Sequence, residues 1–160
     1  MQLLAAPLVS EGTLHYAPPG RLVRRTEQPE LAVALLEGNR LRFRDASGEQ
    51  SLDLDAMPAA RQFLESFTAL VAGDRAALAR SYDLEFASQG TSVWRLTMRP
   101  RLAALSRVFR AVEVTGEGVA LRTLVVREVS GDVSETTFVE VRTDRVFTTE
   151  EAARVFRLGP

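Results

Sequence analysis

One histidine and a few closely spaced carboxylates are the groups from which acid–base, nucleophilic or metal chemistry would have to be built in this chain. His15 is the only imidazole. A nucleophile-and-base pair needs such a group within reach of Ser or Cys. His15 lies in an alternating stretch, Thr13-Leu14-His15-Tyr16, on the strand face opposite Leu14 and Tyr16, where a polar residue is ordinary. No Gly-x-Ser-x-Gly sequence accompanies it, and the absence of Cys removes thiol and disulfide chemistry. Asp53 and Asp55 sit two apart, as metal-binding carboxylates can. Leu52 and Leu54 alternate with them, however, which is the pattern of a solvated strand face. Glu27 with Glu30, and Glu150 with Glu151, are further close acidic pairs, with no cleft signal around them. No glycine-rich loop precedes a helix to cradle a phosphate. The inventory argues against an enzyme, and no metal and no cofactor is expected.

What the chain does offer is apolar side chains at regular spacing. Leu14, Tyr16, Leu41, Phe43, Leu52, Leu54, Trp94, Leu96 and Met98 recur with a period of two, the signature of half-buried strands. Phe63, Phe67, Leu70 and Val71 recur on one face of a helix. Such a set either fills a core or lines a cavity for hydrocarbon, and hydrocarbon recognition needs no catalytic group. The aromatic members supply large apolar area with few rotamers to freeze.

The elements that must position these residues follow from the pattern. Residues 2–6 are apolar and end at Pro7. From Glu11 to Asp55 the alternation predicts strand after strand. Pro18-Pro19-Gly20 forms the first turn, because two prolines fix φ and the glycine lets the chain reverse. Leu22–Gln28 reads as a polar, Arg-rich strand and Leu31–Glu37 as an apolar one. Gly38-Asn39 then gives a hairpin signal. Leu41–Arg44 and Leu52–Asp55 alternate on either side of a turn at Ser47-Gly48. Pro58 suits a first helical turn and Gly73 a helix stop, which predicts a helix over 58–72. Asp74 is placed to cap a short second helix, 75–80. Strands return at Tyr82-Leu84-Phe86 and Trp94-Leu96-Met98. Pro100 ends the latter, and a helical turn is expected over 102–110. Strands follow from Val112, over 119–129 and over 133–141, with a tail helix over 148–156 and Thr149 near its cap. Strands joined by short turns make an antiparallel meander. A long sheet of this kind has to curl or be covered, and the 58–72 helix is the evident cover.

Length and charge set further bounds. A chain of 160 residues fits one domain with a sizeable core. The formal net charge is -1, from 20 basic and 21 acidic residues. No run of like charge suggests a nucleic-acid partner. Every basic residue is Arg, but they are scattered, as biased codon supply produces. No apolar run approaches the roughly 20 residues a membrane span needs. Met1–Ala6 is too short for a signal peptide and lacks its basic start.

Four stretches, in order, resemble the LolA family of periplasmic lipoprotein carriers. They are the hairpin Pro7–Leu22, the junction Ala72-Gly73-Asp74-Arg75-Ala76-Ala77-Leu78, the strand Trp94-Arg95-Leu96-Thr97-Met98-Arg99-Pro100, and the turn Gly131-Asp132. The third stretch is similar to that family's W-x-L-x-L-x-P, with Met98 in place of Leu. The resemblance implies one domain over 1–160, of mainly β (α+β) class: a strongly curved antiparallel sheet forming an unclosed β-barrel with a helical lid. It implies a signal peptide and part of a first helix ahead of this stretch, a periplasmic location and a monomer. It also implies acyl-chained lipoprotein or lipid as cargo, an inner-membrane donor and an outer-membrane acceptor. The carriers place a basic residue just before the turn proline. Here that position is Pro18, so no residue inherits the lid latch. Two other classes stay open: a β-rich scaffold or interaction domain with a permanently packed helix, and a small hydrolase or isomerase with a polar cleft around His15.

Overall fold

Turn residues and alternation direct most of the path. The computed structural model describes residues 8–18, 20–90, 92–143 and 145–159, with only the backbone of Gln89. The expected helix end at 2–6, Pro7 and Pro19 fall outside these. The chain divides into two compact units, Met1–Leu54 with Phe147–Pro160, and Asp55–Val146. The sequence pattern treats the strands as one long curved sheet. Hydrogen bonding groups them into two five-stranded antiparallel sheets among the described residues. The physical reason is the helical insertion between the fifth and sixth strands, which leaves no short turn to make them neighbours.

The first unit is a meander of β1 (Glu11–Ala17), β2 (Arg21–Gln28), β3 (Ala32–Glu37), β4 (Arg40–Asp45) and β5 (Gly48–Asp53), paired in chain order. Register assigns the faces. Tyr16 lies opposite Leu22, Leu22 opposite Leu36, Leu36 opposite Leu41, and Leu41 opposite Leu52. Partners across a ladder point the same way, so these residues share a face, with Leu14 and Phe43 two positions along. The other face carries His15, Val23 and Leu35, and a helix from the tail covers it. That helix, α4 (Thr149–Val155), places Ala152 and Phe156 in a core with Ala17, Val23 and Leu35. Its cap is Thr148, one residue before the expected Thr149. The Glu151 amide donates to the Thr148 side chain at 3.2 Å, and the Thr148 amide donates to Glu151 at 3.0 Å. Glu151 at the third helical position selects Thr148, because this reciprocal capping box needs that spacing.

β5 also ends earlier than expected. Leu54 begins a short 3₁₀ turn, Leu54–Ala56, with its amide donating to Asn39 at 2.8 Å. Leu54 is therefore not a strand residue, and Asp53 and Asp55 do not share a strand face. Asp55 instead accepts from Arg61 at 2.9 Å.

The second unit opens with α1 (Pro58–Ala72) and α2 (Arg75–Ser81). Pro58 occupies the first turn of α1, where its missing N–H costs nothing. Gly73 adopts φ 72°, ψ 22° and stops it. The Gly73 amide donates to Leu70 at 3.2 Å and the Asp74 amide to Ala69 at 2.8 Å, the paired bonds of a Schellman ending. Asp74 then accepts from the Ala77 amide at 3.1 Å and starts α2. The sheet follows as β6 (Tyr82–Gln89), β7 (Val93–Pro100), β8 (Phe109–Glu117), β9 (Ala120–Glu128) and β10 (Val133–Thr137), with α3 (Ala103–Ser106) between β7 and β8. The helical turn is shorter than the expected 102–110, because Phe109 already begins β8. β10 stops at Thr137 rather than running to Val141.

Candidate functional site

The apolar face of the second sheet is built by register. Leu84 pairs with Met98, Met98 with Val112, and Val112 with Val126; Leu96 pairs with Val114, and Val114 with Leu124. The opposite face carries Glu85, Arg99, Glu113 and Arg127, which pair as surface ions, Arg99 with Glu85 at 3.1 Å and Arg127 with Glu113 at 3.4 Å. One face is thus hydrocarbon and the other is solvated.

Helix α1 lies on the apolar face. Phe63, Phe67 and Leu70, at i, i+4 and i+7, pack on a cluster that includes Tyr82, Met98, Val112, Val114 and Leu124. Phe63 stacks on Phe109 with centroids 4.8 Å apart and planes at 26°. Beneath the helix remains a cavity of about 10 Å³, lined by Phe63, Ser66, Phe67 and Leu70 above and by Tyr82, Met98, Val112 and Leu124 below. The apolar face continues past the helix. Trp94 and Leu96 are half-buried, while Phe86 is 54% exposed and stacks on Trp94 at 6.2 Å. The Trp94 indole donates to the Gly118 carbonyl at 2.9 Å and crosses Gly116, where any Cβ would overlap the ring.

Polar groups inside this cluster are few. Tyr82 is 1% exposed, and its hydroxyl has no hydrogen-bond partner. Burial pushes its pKa up, and the Ser66 side chain opposes the shift. Ser66 gives its own proton to the Gln62 carbonyl, one turn back, at 2.6 Å. Outside the cluster, on the same helix, the Gln62 amide oxygen is also buried without a partner.

A profile of outer membrane lipoprotein carriers, described as outer membrane lipoprotein carrier protein LolA-like, matches residues 1–158. This chain belongs to the LolA-like family. No curated protein matches it. The four stretches that suggested a LolA-like chain lie within the matched range. A carrier role in general comes with the family.

For a LolA-like chain the interest lies in where the expected cavity residues fall. Phe63, Phe67, Leu70, Trp94, Leu96 and Met98 come together in the second unit, around α1. Val71 is half-buried and does not join that cluster. Leu14, Tyr16, Leu41, Phe43 and Leu52 share one face of the first sheet, and Leu54, at 3% exposed, sits in the turn that follows it. Four lining residues were not anticipated: Ser66, Tyr82, Val112 and Leu124. Tyr82 and Val112 stand in stretches whose alternation marks them as inward. Ser66 falls between Phe63 and Phe67 on the helical stripe, so its spacing, though not its polarity, points to the site.

The acid–base candidates stay apart. His15 lies edge-on to Phe147, with ring centres 6.0 Å apart, on the α4 side of the first sheet. Glu150 and Glu151 occupy the first turn of α4, where carboxylates suit the helix dipole. Among the described residues no group of three or more His, Cys, Asp or Glu could hold a metal ion. Among them, too, no helix is long and apolar enough to cross a membrane.

Proposed function

We propose that this protein is a periplasmic carrier that shields the acyl chains of a lipoprotein or lipid in an apolar cavity during transfer toward the outer membrane. It acts without catalysis, receiving cargo from an inner-membrane donor and passing it to an outer-membrane acceptor. The observation that carries the proposal is α1: a glycine-ended helix whose Phe63, Phe67 and Leu70 close a sheet face made of hydrocarbon side chains. The candidate ligand residues are these three with Val71, Trp94, Leu96 and Met98 in the second unit. In the first unit they are Leu14, Tyr16, Leu41, Phe43, Leu52 and Leu54.

A cavity of about 10 Å³ holds no acyl chain, so cargo must displace α1. The magnitudes permit it. Burying about 14 methylenes yields about 11 kcal/mol at about 0.8 kcal/mol each. Exposing two Phe and one Leu gives up about 5–9 kcal/mol at about 1.5–3 kcal/mol each. The same small cavity is what favours the second reading, a scaffold with a permanently packed helix. Titration with a pyrene-labelled acyl chain separates the two. A carrier gives saturable emission that unlabelled lipid displaces. Absence of saturable binding by the full-length protein overturns the carrier reading.

A further inference from the structure

The Tyr82 hydroxyl is an anomaly in a packed core. Buried polar groups are nearly always hydrogen-bonded, and an exception calls for a reason. Tyr82 is 1% exposed, lines the cavity beneath α1, and has no partner for its hydroxyl. Ser66 lines the same cavity and gives its proton to the Gln62 carbonyl at 2.6 Å; its oxygen lies near enough to Tyr82 to lower the phenol's pKa but outside hydrogen-bond geometry with the hydroxyl. Tyr82 is therefore the lining residue with a donor to spare. A trapped water is a poor remedy. The cavity, at about 10 Å³, is at the lower limit for one, and its walls are almost wholly carbon, whereas a buried water needs two to four polar partners. A ligand that lifts α1 and lies along this face can bring an acceptor to the hydroxyl.

We propose that Tyr82 is a cargo-binding residue that donates a hydrogen bond to the carbonyl of an ester- or amide-linked acyl chain. Methylenes then lie against Met98, Val112 and Leu124. The inference rests on the carrier reading and adds to it a chemical class: acyl cargo with a carbonyl at the head of the chain, in preference to plain hydrocarbon. Tyr is suited to this, since it presents an apolar body with one polar tip. A pocket that leaves a donor unsatisfied discriminates against ligands lacking the acceptor.

The test uses displacement of diphenylhexatriene from the full-length protein by methyl palmitate and by heptadecane. The wild type is expected to bind the dye and to favour the ester. Tyr82→Phe is expected to leave dye and alkane binding unchanged and to lower the ester preference about fivefold, the value of one neutral hydrogen bond. Thr68→Ala, on the same helix but outside the cavity lining, is expected to keep the preference. An equal effect of Tyr82→Phe on both competitors, or no effect on either, overturns the proposal while dye binding upholds the carrier. Loss of preference in Thr68→Ala to the same extent overturns it as well, since any change to α1 would then suffice. A thermal midpoint several degrees lower in Tyr82→Phe would show the hydroxyl already satisfied in the closed form, and would also overturn it. A wild type that binds no dye removes the carrier reading and this inference together.

Discussion

Arg25, on the second strand, donates to the carbonyl of Arg157, 132 residues further on, at 2.7 Å. The same guanidinium reaches the carbonyls of Val155 at 3.0 Å and Gly159 at 3.3 Å. Three acceptors at and beyond the end of α4 thus converge on one side chain. The carbonyls at a helix C-terminus have no intrahelical partners and carry partial negative charge, so a planar cation with five donors suits them. Arg21 adds a second contact, lying 5.0 Å from the centre of the Phe156 ring.

Arg25→Ala is expected to cost about 1–2 kcal/mol, because the bonds are charge-assisted but only part-buried. Arg25→Lys should recover less than half of that, since an ammonium cannot serve the carbonyls as a fork. Urea denaturation of the three proteins measures both. Equal stability of Arg25→Lys and wild type would show that charge alone holds the tail.

The tail also marks the limit of what local pattern can tell. Helix α1 is legible to the residue, because its signals are local: Pro58 where a missing N–H is harmless, Gly73 where φ must be positive, apolar positions at i, i+4 and i+7. The hairpin turns at Gly38-Asn39 and Ser47-Gly48 are legible for the same reason. Alternation also sorts Leu14 and Tyr16 from His15 correctly. It cannot say that α4 returns from the far end of the chain to cover the His15 face, nor that Arg25 reaches Arg157. Those are contacts across more than 100 residues. It cannot show that the helices split the described strands into two sheets. At the site, it finds the apolar residues by period and passes over Ser66, which is polar, and Tyr82, whose interest lies in a missing hydrogen bond.

Gly116→Ala is expected to destabilise the protein by about 1–3 kcal/mol, the usual penalty for overpacking. Gly116 faces Trp94 across the β7–β8 ladder at a bulge, and a Cβ there would occupy the space of the indole. Trp94 is the sole tryptophan, so its emission reports the displacement directly. Combining the change with Trp94→Ala should cost less than the sum of the two, because removing the indole makes room for the methyl. Additive costs in the double mutant would show that the two residues do not compete for space.

Stability should fall with alkali, and Tyr82 should be the cause. Burial holds its pKa above the usual 10.0, with Ser66 opposing. As pH rises through about 10 the unfolded chain loses this proton while the folded chain keeps it. The unfolded state then binds fewer protons, so unfolding becomes easier with each step in pH. The contribution is complete below about pH 10 and is lost as pH climbs toward the raised value. Without Lys or Cys in the chain, the background titration in this range is small, and arginine remains charged. Urea midpoints measured from about pH 9 to about pH 11 should decline in the wild type and much less in Tyr82→Phe. A parallel decline in both would place the titrating group elsewhere.

Phe67→Ala separates a lid from a fixed helix. Phe67 is the middle residue of the α1 stripe and lines the cavity. Truncating it should lower stability by about 2–3 kcal/mol, below the full cost for a buried aromatic because the ring is only half-buried. If α1 must be displaced before cargo enters, the closed state competes with cargo for the same apolar surface. Weakening closure then raises the apparent affinity for an acyl probe, by the factor by which the open, binding-competent population grows. Phe67→Ala should thus bind a pyrene-labelled acyl chain several-fold more tightly while unfolding at lower urea. A permanently packed helix predicts the lower stability without the tighter binding. Weaker binding in step with lower stability would mean instead that the Phe67 ring contacts the cargo more than it holds the helix down.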